Sequence, residues 1–350
     1  MTDPQWEQLL RVLDGERLDP LPVAFIIDSP WLPGWAGCSI LDYYASQPRW
    51  LEANFRAVRQ FPDVVFLPGF WSEFGMCTEP SAFGAKCVFA DNDFPFAEKV
   101  LHCLDDVDRL ARPNCRTDGL CPFVVKRLEH CRGEIEAAGH RIRFAVSRGP
   151  LNIASFLAGH TELLIALKTE PAAAVKLIDL VTDFVIDWLG YQRQRFDSID
   201  GILVLDDLIG FVGERDFRQF ALPAFRRISA ALDVRIKALH NDARGLITAR
   251  CLAEMGFNLF NFGFEHSLGE IRQLAGEPVV LLGNLPPRDV LAAGTPDEVR
   301  RATRAMVESV EDQRRILFSC GGGMPPKVST ANIQAFCQAV RQQAREPLCR

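Results

Sequence analysis

His240 closes an expected strand within the run Lys237-Ala-Leu-His-Asn-Asp-Ala-Arg-Gly245, and Asp242 stands two residues further on. Side chains two apart on an extended chain face the same side, so the imidazole and the carboxylate can converge. Such a pair can supply a general base with an orienting carboxylate, or two metal ligands. It can equally be a hydrogen-bonded structural histidine followed by an Asx turn. Asp206 and Asp207 follow the apolar run Gly201-Ile-Leu-Val-Leu205. Adjacent strand residues point to opposite sides, so one of the two faces a pocket. There, like charges near a low-dielectric mouth would raise one pKa and give a proton donor. The other reading of this pair is a helix N-cap or a salt bridge to the wall. Cys320 could be a thiolate ligand, a nucleophile or an inert buried thiol. The Gly321-Gly322-Gly323 run behind it could offer backbone N–H groups to an anion, admit a flat ligand, or simply turn before Pro325-Pro326.

These residues share a setting. The chain alternates compact β-branched runs with amphipathic stretches, which predicts strands at Val23–Asp28, Val64–Pro68, Arg143–Ser147, Ile202–Asp206, Ile236–His240, Asn258–Phe262, Val279–Gly283 and Arg315–Ser319. Runs as apolar as VVLLG or GILVL suit parallel strands buried on both faces. Helices fill the gaps. One opens at Thr295-Pro296-Asp297-Glu298, with a threonine N-cap, proline at the first position and acids in the first turn. Strand and helix repeated eight times predict an α/β fold, a (β/α)8 TIM barrel forming one domain over residues 1–350. The stretch 69–142 is too long for one connection and predicts a cap inserted between the second and third strands, with a hairpin around Ala85–Phe96. In such a barrel, chemistry gathers where strands run into the loops that follow them. Those junctions carry Asp28; Trp71, Ser72 and Glu73; Ser147 and Arg148; Asp206 and Asp207; His240, Asn241 and Asp242; Asn261; Asn284; and Cys320. The aromatic residues Trp31, Trp35, Tyr43, Tyr44, Phe70, Trp71 and Phe74 suit either a flat substrate or the core of the cap.

Composition narrows the field. A net charge of −6 argues against a nucleic-acid or anionic-membrane partner, both of which need a basic face. The acidic, amphipathic N-terminus does not resemble a signal peptide, and no apolar run approaches the ~18 residues of a membrane span, so a cytoplasmic protein is expected. Eleven cysteines, an odd number with no C-x-x-C, are expected to be free thiols.

Several segments together resemble the uroporphyrinogen decarboxylase (URO-D) superfamily, especially its cobalamin-dependent methyltransferase branch. They are SEFGMCTEPSAFG around Glu73, SRGPLNIASFLAGHTELLIAL at 147–167, LVLDDLIGFVGERDFRQFALPAFRRI at 203–228, KALHNDARG at 237–245, NLFNFGFEHSLGEIRQLAGEPVVLLGNLPP at 258–287 and ILFSCGGGMPPKVSTANIQAF at 316–336. The resemblance implies a TIM barrel. Decarboxylation of uroporphyrinogen would require arginines after the first strand to hold the substrate's carboxylates. Here that stretch, IIDSPWLPGWAGCSILDYY, has no Arg or Lys, and Asp28 would repel an acid. The methyltransferase branch implies a zinc site of the form H-x-C with a second cysteine after the eighth strand. This chain keeps His240 but has Asp242 at the first cysteine position and Gly322 at the second, with Cys320 two residues early. The implied activity moves a methyl group between a small methylated ether, amine or thiol and a corrinoid protein docked at the barrel mouth. That partner would carry the cobalamin, since no D-x-H-x-x-G motif occurs here. His240 and Asp242 would serve in metal binding or acid catalysis, with Cys320 as a further ligand. Asp207 and Glu73 would orient the substrate, and Asp28, Trp71, Arg148, Asn261 and Asn284 would line the pocket. A decarboxylase-like lyase acting on a smaller acid and a non-catalytic tetrapyrrole-binding barrel are the alternatives. Whether the chain forms a homodimer is left open.

Overall fold

The computed structural model describes residues 1–343. Its strands are β1 (Ala24–Ile26), β2 (Val65–Leu67), β3 (Cys87–Val88), β4 (Phe96–Ala97), β5 (Phe144–Arg148), β6 (Gly201–Leu205), β7 (Ile236–Asn241), β8 (Leu259–Phe262), β9 (Val280–Leu285) and β10 (Ile316–Cys320). The eight sequence-predicted strands are all there, displaced by a residue or two at their ends. Six of them, β5 to β10, form one parallel sheet in sequential order, and β1 pairs with β2. The two pieces meet at a parallel bridge between Val23 and Phe318, where Phe318 N–H donates to the Pro22 carbonyl at 3.0 Å.

Every strand sorts its side chains by parity. Ala24, Ile26, Val65, Leu67, Phe144, Leu203, Leu205, Ile236, Ala238, Leu259, Val280, Leu282 and Leu317 share one buried cluster, the interior of the strand ring. Their neighbours Phe25, Phe66, Ala145, Ile202, Val204, Leu239, Phe260, Leu281, Ile316 and Phe318 belong to another, which packs beneath the surrounding helices. The N-terminal helix Asp3–Leu13 closes the end opposite the site. Its Trp6, Leu9, Leu10 and Val12 join the interior cluster, and a capping box between Thr2 and Gln5 fixes its start.

Between β2 and β5 no backbone ladder forms, and a side chain takes its place. Gln192, on the long helix Pro171–Arg195, accepts from Val146 N–H at 3.0 Å and donates to the Val146 carbonyl at 2.9 Å. Arg148 N–H, the next group along that edge, donates to Glu79 Oε1 at 2.9 Å. The chain between these strands carries the antiparallel pair β3–β4 and the helix Cys121–Ala137. Trp31, Tyr43, Tyr44, Phe70 and Trp71 are buried there and at the adjoining strand ends as core. All ten cysteines among the described residues are free. No single described helix is long and apolar enough to cross a membrane.

Replacing Gln192 with Leu keeps the volume but strands a buried donor and acceptor, each at a cost of about 1–3 kcal/mol. We expect Gln192→Leu to lower the unfolding free energy by about 2 kcal/mol or more in urea titrations. A loss below ~0.5 kcal/mol would mean that β2 or water satisfies the edge instead.

Candidate functional site

Parity decides what the strand ends present to the interior. Asp207, His240, Asp242, Asn261, Ser319 and Arg148 each continue the inward series of their strand, whereas Asp206, Asn241 and Cys320 fall on the outward one. The inward set brings together Asp207, His240 and Asp242, one ligand-type atom from each lying within 4.8 Å of the others. His240 Nε2 stands 3.5 Å from Asp207 Oδ1 and 4.0 Å from Asp242 Oδ2. Asp242 N–H donates to Asp207 Oδ1 at 3.0 Å, which ties the ends of β6 and β7.

The tautomer of His240 follows from its other partner. Asn261 donates its amide to the Leu282 carbonyl at 2.9 Å, so its oxygen is the atom 2.6 Å from His240 Nδ1. That oxygen can only accept, so Nδ1 carries a proton and Nε2 is the nitrogen turned to the two carboxylates. Burial pushes the Asp207 carboxyl up to about 6; His240 works against this, and Asp242 adds to it.

A second group of charges lies against β5. Arg148 donates to Glu73 Oε2 at 2.9 Å and sits 3.5 Å from Glu79 Oε2, with all three side chains almost wholly buried. Burial alone would lower the arginine's pKa, but Glu73 and Glu79 outweigh it and hold the group above its ordinary value. Glu73 also accepts from Ser29 at 3.1 Å, and Ser29 accepts from Tyr44 at 2.6 Å. Asp28 is set among these groups. Its carboxyl is raised well above the ordinary value by burial first, then by Glu73, with Arg148 opposing and Asp242 adding. Its Oδ1 is buried without a hydrogen-bond partner, as are Ser72 Oγ and Ser319 Oγ.

One expectation from sequence needs correction: Cys320 faces outward into the layer beneath the helices, where its thiol lies 3.8 Å from the Gly322 carbonyl and burial pushes its pKa up to about 12, and it is not in the cluster with His240. Asn284 continues the inward series of β9 and turns its amide N–H groups to the carbonyls of Gly263 (3.3 Å) and His266 (2.5 Å), which staples the loop after β8. Trp71 packs its ring into the interior cluster, and its carbonyl accepts from Trp50 Nε1 at 3.0 Å. Reasoning from sequence missed Glu79 and Ser29, and named Tyr44 only as one of a group of aromatic residues. Glu79 carried a signal, since it lies in the quoted segment SEFGMCTEPSAFG; the serine carried none.

Gly322 explains the departure from a thiolate site. Its φ is +73°, and a Cβ there would stand 2.8 Å from Cβ and Oδ2 of Asp242. Asp242 therefore occupies the space that a side chain at 322 would need, and any residue larger than glycine there requires Asp242 to move.

A family model described as uroporphyrinogen decarboxylase (URO-D) matches residues 4–343. The uroporphyrinogen decarboxylase of Psychromonas ingrahamii is 25% identical over 276 residues, 76% of each chain. That of Pseudoalteromonas translucida is 22% identical over 367 residues, 98% of each. Among solved structures, a methyltransferase from Methanosarcina mazei is similar with a TM-score of 0.80 at 18% identity, covering 96% of this chain and 98% of that one. A B12-independent methionine synthase from Shewanella sp. W3-18-1 has a TM-score of 0.54 at 12% identity, covering 92% and 98%. At these identities the two structures speak for the fold.

Asp206 plays the structural part of its pair. It accepts from Leu151 N–H at 2.8 Å and Asn152 N–H at 3.1 Å, capping the helix Pro150–Ala158 from the neighbouring strand. Gly149 makes room, because a Cβ there would meet Asp206 Oδ2 at 2.3 Å. Burial nevertheless pushes this carboxyl up from 3.8 to about 8, against the two backbone donors. A folded-state pKa above the unfolded one means that the native state holds the proton more tightly. Its contribution to stability is thus present below about pH 4 and lost as pH rises through about 8. The loss should run at up to ~1.4 kcal/mol per pH unit. Asp206→Asn should flatten that decline in denaturant titrations between pH 5 and 8. An unchanged slope would show that Asp206 is ionised throughout.

Proposed function

Because the chain belongs to the uroporphyrinogen decarboxylase (URO-D) family, we propose that it is a methyltransferase of that family, moving a methyl group between a small methylated compound and a corrinoid protein. The observation that carries this reading is the Asp207–His240–Asp242 cluster at the strand ends. A decarboxylase of a polycarboxylate needs cations at its mouth. The segment after β1 supplies none, and Arg148 is already engaged by Glu73 and Glu79. A lyase acting on a smaller acid would meet the same repulsion.

The cluster fits a divalent metal. Two carboxylates and an imidazole whose Nε2 faces them form a three-ligand set, which leaves a fourth position of a tetrahedral metal for a substrate atom, and zinc accepts such N and O donors. Held there, the metal would act as a Lewis acid on the heteroatom that carries the methyl group. The protein's own contributions are clear. Asn261 fixes the His240 tautomer, and Asp207 anchors the Asp242 backbone. Arg148 holds Glu73 across the mouth. Cobalamin would come on the partner, docked over the open ends of the strands, with residues 69–142 acting as the cap. A homodimer is compatible with this arrangement.

Purified protein should hold close to one zinc per chain by elemental analysis. His240→Ala should hold none and should slow methylation of cob(I)alamin at least ~100-fold with an unchanged circular dichroism spectrum. Equal turnover in that variant would remove His240 from the site. Gly322→Ala should displace Asp242 and weaken metal binding ~10–100-fold; wild-type affinity there would show that the metal does not need Asp242.

A further inference from the structure

A second buried arginine lies outside the strand-end cluster and has no carboxylate of its own. Arg127, on the helix Cys121–Ala137, is only 7% exposed. Its hydrogen bonds go to two backbone carbonyls, those of Glu73 (3.5 Å) and Tyr44. A guanidinium has more donors than these two carbonyls can use. The group also lies over the rings of Phe74, at 4.7 Å, and Trp50, at 5.7 Å. Those rings soften the cost of burial but supply no counter-charge. Burial accordingly holds the pKa of Arg127 below its ordinary value, whereas Glu73 and Glu79 hold that of Arg148 above. A buried charge without a counterion is costly, and the planar guanidinium fork is shaped to take a carboxylate.

Arg127 lines a cavity of about 520 Å³ between the helices Ile40–Ala45 and Cys121–Ala137 and the residues around β3. That is an ordinary size for a small-molecule site. Tyr44, Phe74 and Phe89 form one wall, with the Tyr44 ring 5.8 Å from Phe74 and 6.4 Å from Phe89. Phe123, one helical turn before Arg127 and so on the same face, is 62% exposed and extends the lining. Lys126 and His130 also border the space, but both are exposed, and the lysine already pairs with Glu129 at 2.7 Å. None of the described residues that line the cavity is acidic. It therefore offers flat apolar surface and one buried, uncommitted positive charge. Glu73 separates it from the strand-end site: its carbonyl faces Arg127, while its carboxylate faces Arg148 and Ser29.

We infer that this cavity is a second ligand site and takes an aromatic carboxylate, its ring against Tyr44, Phe74 and Phe89 and its carboxylate on the Arg127 guanidinium. One guanidinium balances one negative charge. A monocarboxylate therefore fits better than a phosphate monoester, which carries about two. A rigid ring suits the walls, because it meets their rings in offset or edge contacts and has little freedom to lose on binding. The site needs neither metal nor corrinoid, so it stands independently of the methyltransferase reading.

The test is calorimetric titration of the full chain with 2-naphthoate and with 2-naphthalenemethanol, a neutral molecule of nearly the same shape. The acid should bind at least ~10-fold more tightly, the worth of a hydrogen bond to a charged group. Arg127→Gln should remove that preference and leave the alcohol's affinity unchanged, which also reports that the variant is folded. Phe123→Glu changes an exposed residue and so carries the test if Arg127→Gln does not fold. It brings a negative charge to the cavity and removes part of its wall, and should weaken the acid at least ~10-fold. His240→Ala should bind the acid as the wild type does. Equal affinity for the two probes in the wild type, or acid binding that ignores both Arg127→Gln and Phe123→Glu, would overturn the inference. Loss of acid binding in His240→Ala would overturn it too, because the carboxylate would then sit at the strand-end cluster.

Discussion

A strand buried on both faces can offer only every second side chain to the interior, and the chemistry of this protein is arranged within that constraint. On β6 it separates two adjacent aspartates: Asp207 turns in to meet His240, while Asp206 turns out to hold the start of the helix Pro150–Ala158. On β7 it sends His240 and Asp242 inward and leaves Asn241 outside, bonded to Thr248 at 3.0 Å. On β10 it turns Cys320 away from the site altogether. A slip of one residue in any of these strands would bury the wrong member of each pair. The ladders between β5 and β10, whose registers run one after another without a break, prevent it.

The ring has one weak joint, and it lies beside the site. Where β2 fails to pair with β5, Gln192 and Glu79 substitute side-chain groups for a backbone ladder. The same Glu79 carboxylate lies against Arg148, so closure of the ring and placement of the buried charge share one residue. Burying three charges is costly, and a buried ion pair is weak evidence of stability. Its effect here is positional: Arg148 binds Glu73, Glu73 binds Ser29, and Ser29 binds Tyr44, which draws β1, β2, β5 and the helix Ile40–Ala45 into one register around the mouth.

The fold was legible because strand period and helix period differ, and eight alternations leave few ways to pack. His240, Asp242 and Asp207 were legible because parity at a strand end is a local property. The partners that act across the ring were not. Nothing near Asn261 in sequence says that its amide oxygen will set the His240 tautomer. Nothing near Ser29 says that it will bridge Tyr44 to Glu73. Nor does anything near Asn284 say that its amide will hold the loop after β8, or near Trp71 that its ring will join the interior cluster. Cys320 misled by type, since a thiol near a glycine run invites a ligand reading that only parity could have refused.

Asp242 and Gly322 show how such a site changes character without losing its frame. A thiolate at 242 with a thiol-bearing side chain at 322 would be a soft, sulfur-rich set suited to activating a thiol. A carboxylate at 242 fills the space over Gly322, so a sulfur-bearing side chain at 322 would have to displace it. The result keeps the imidazole and its Asn261 support but gives a harder, oxygen-rich donor set. Such hard oxygen donors suit a metal that acts on an oxygen or nitrogen atom better than one that must hold a thiolate. One steric exclusion between two residues eighty positions apart therefore bears on which molecules the site can turn over.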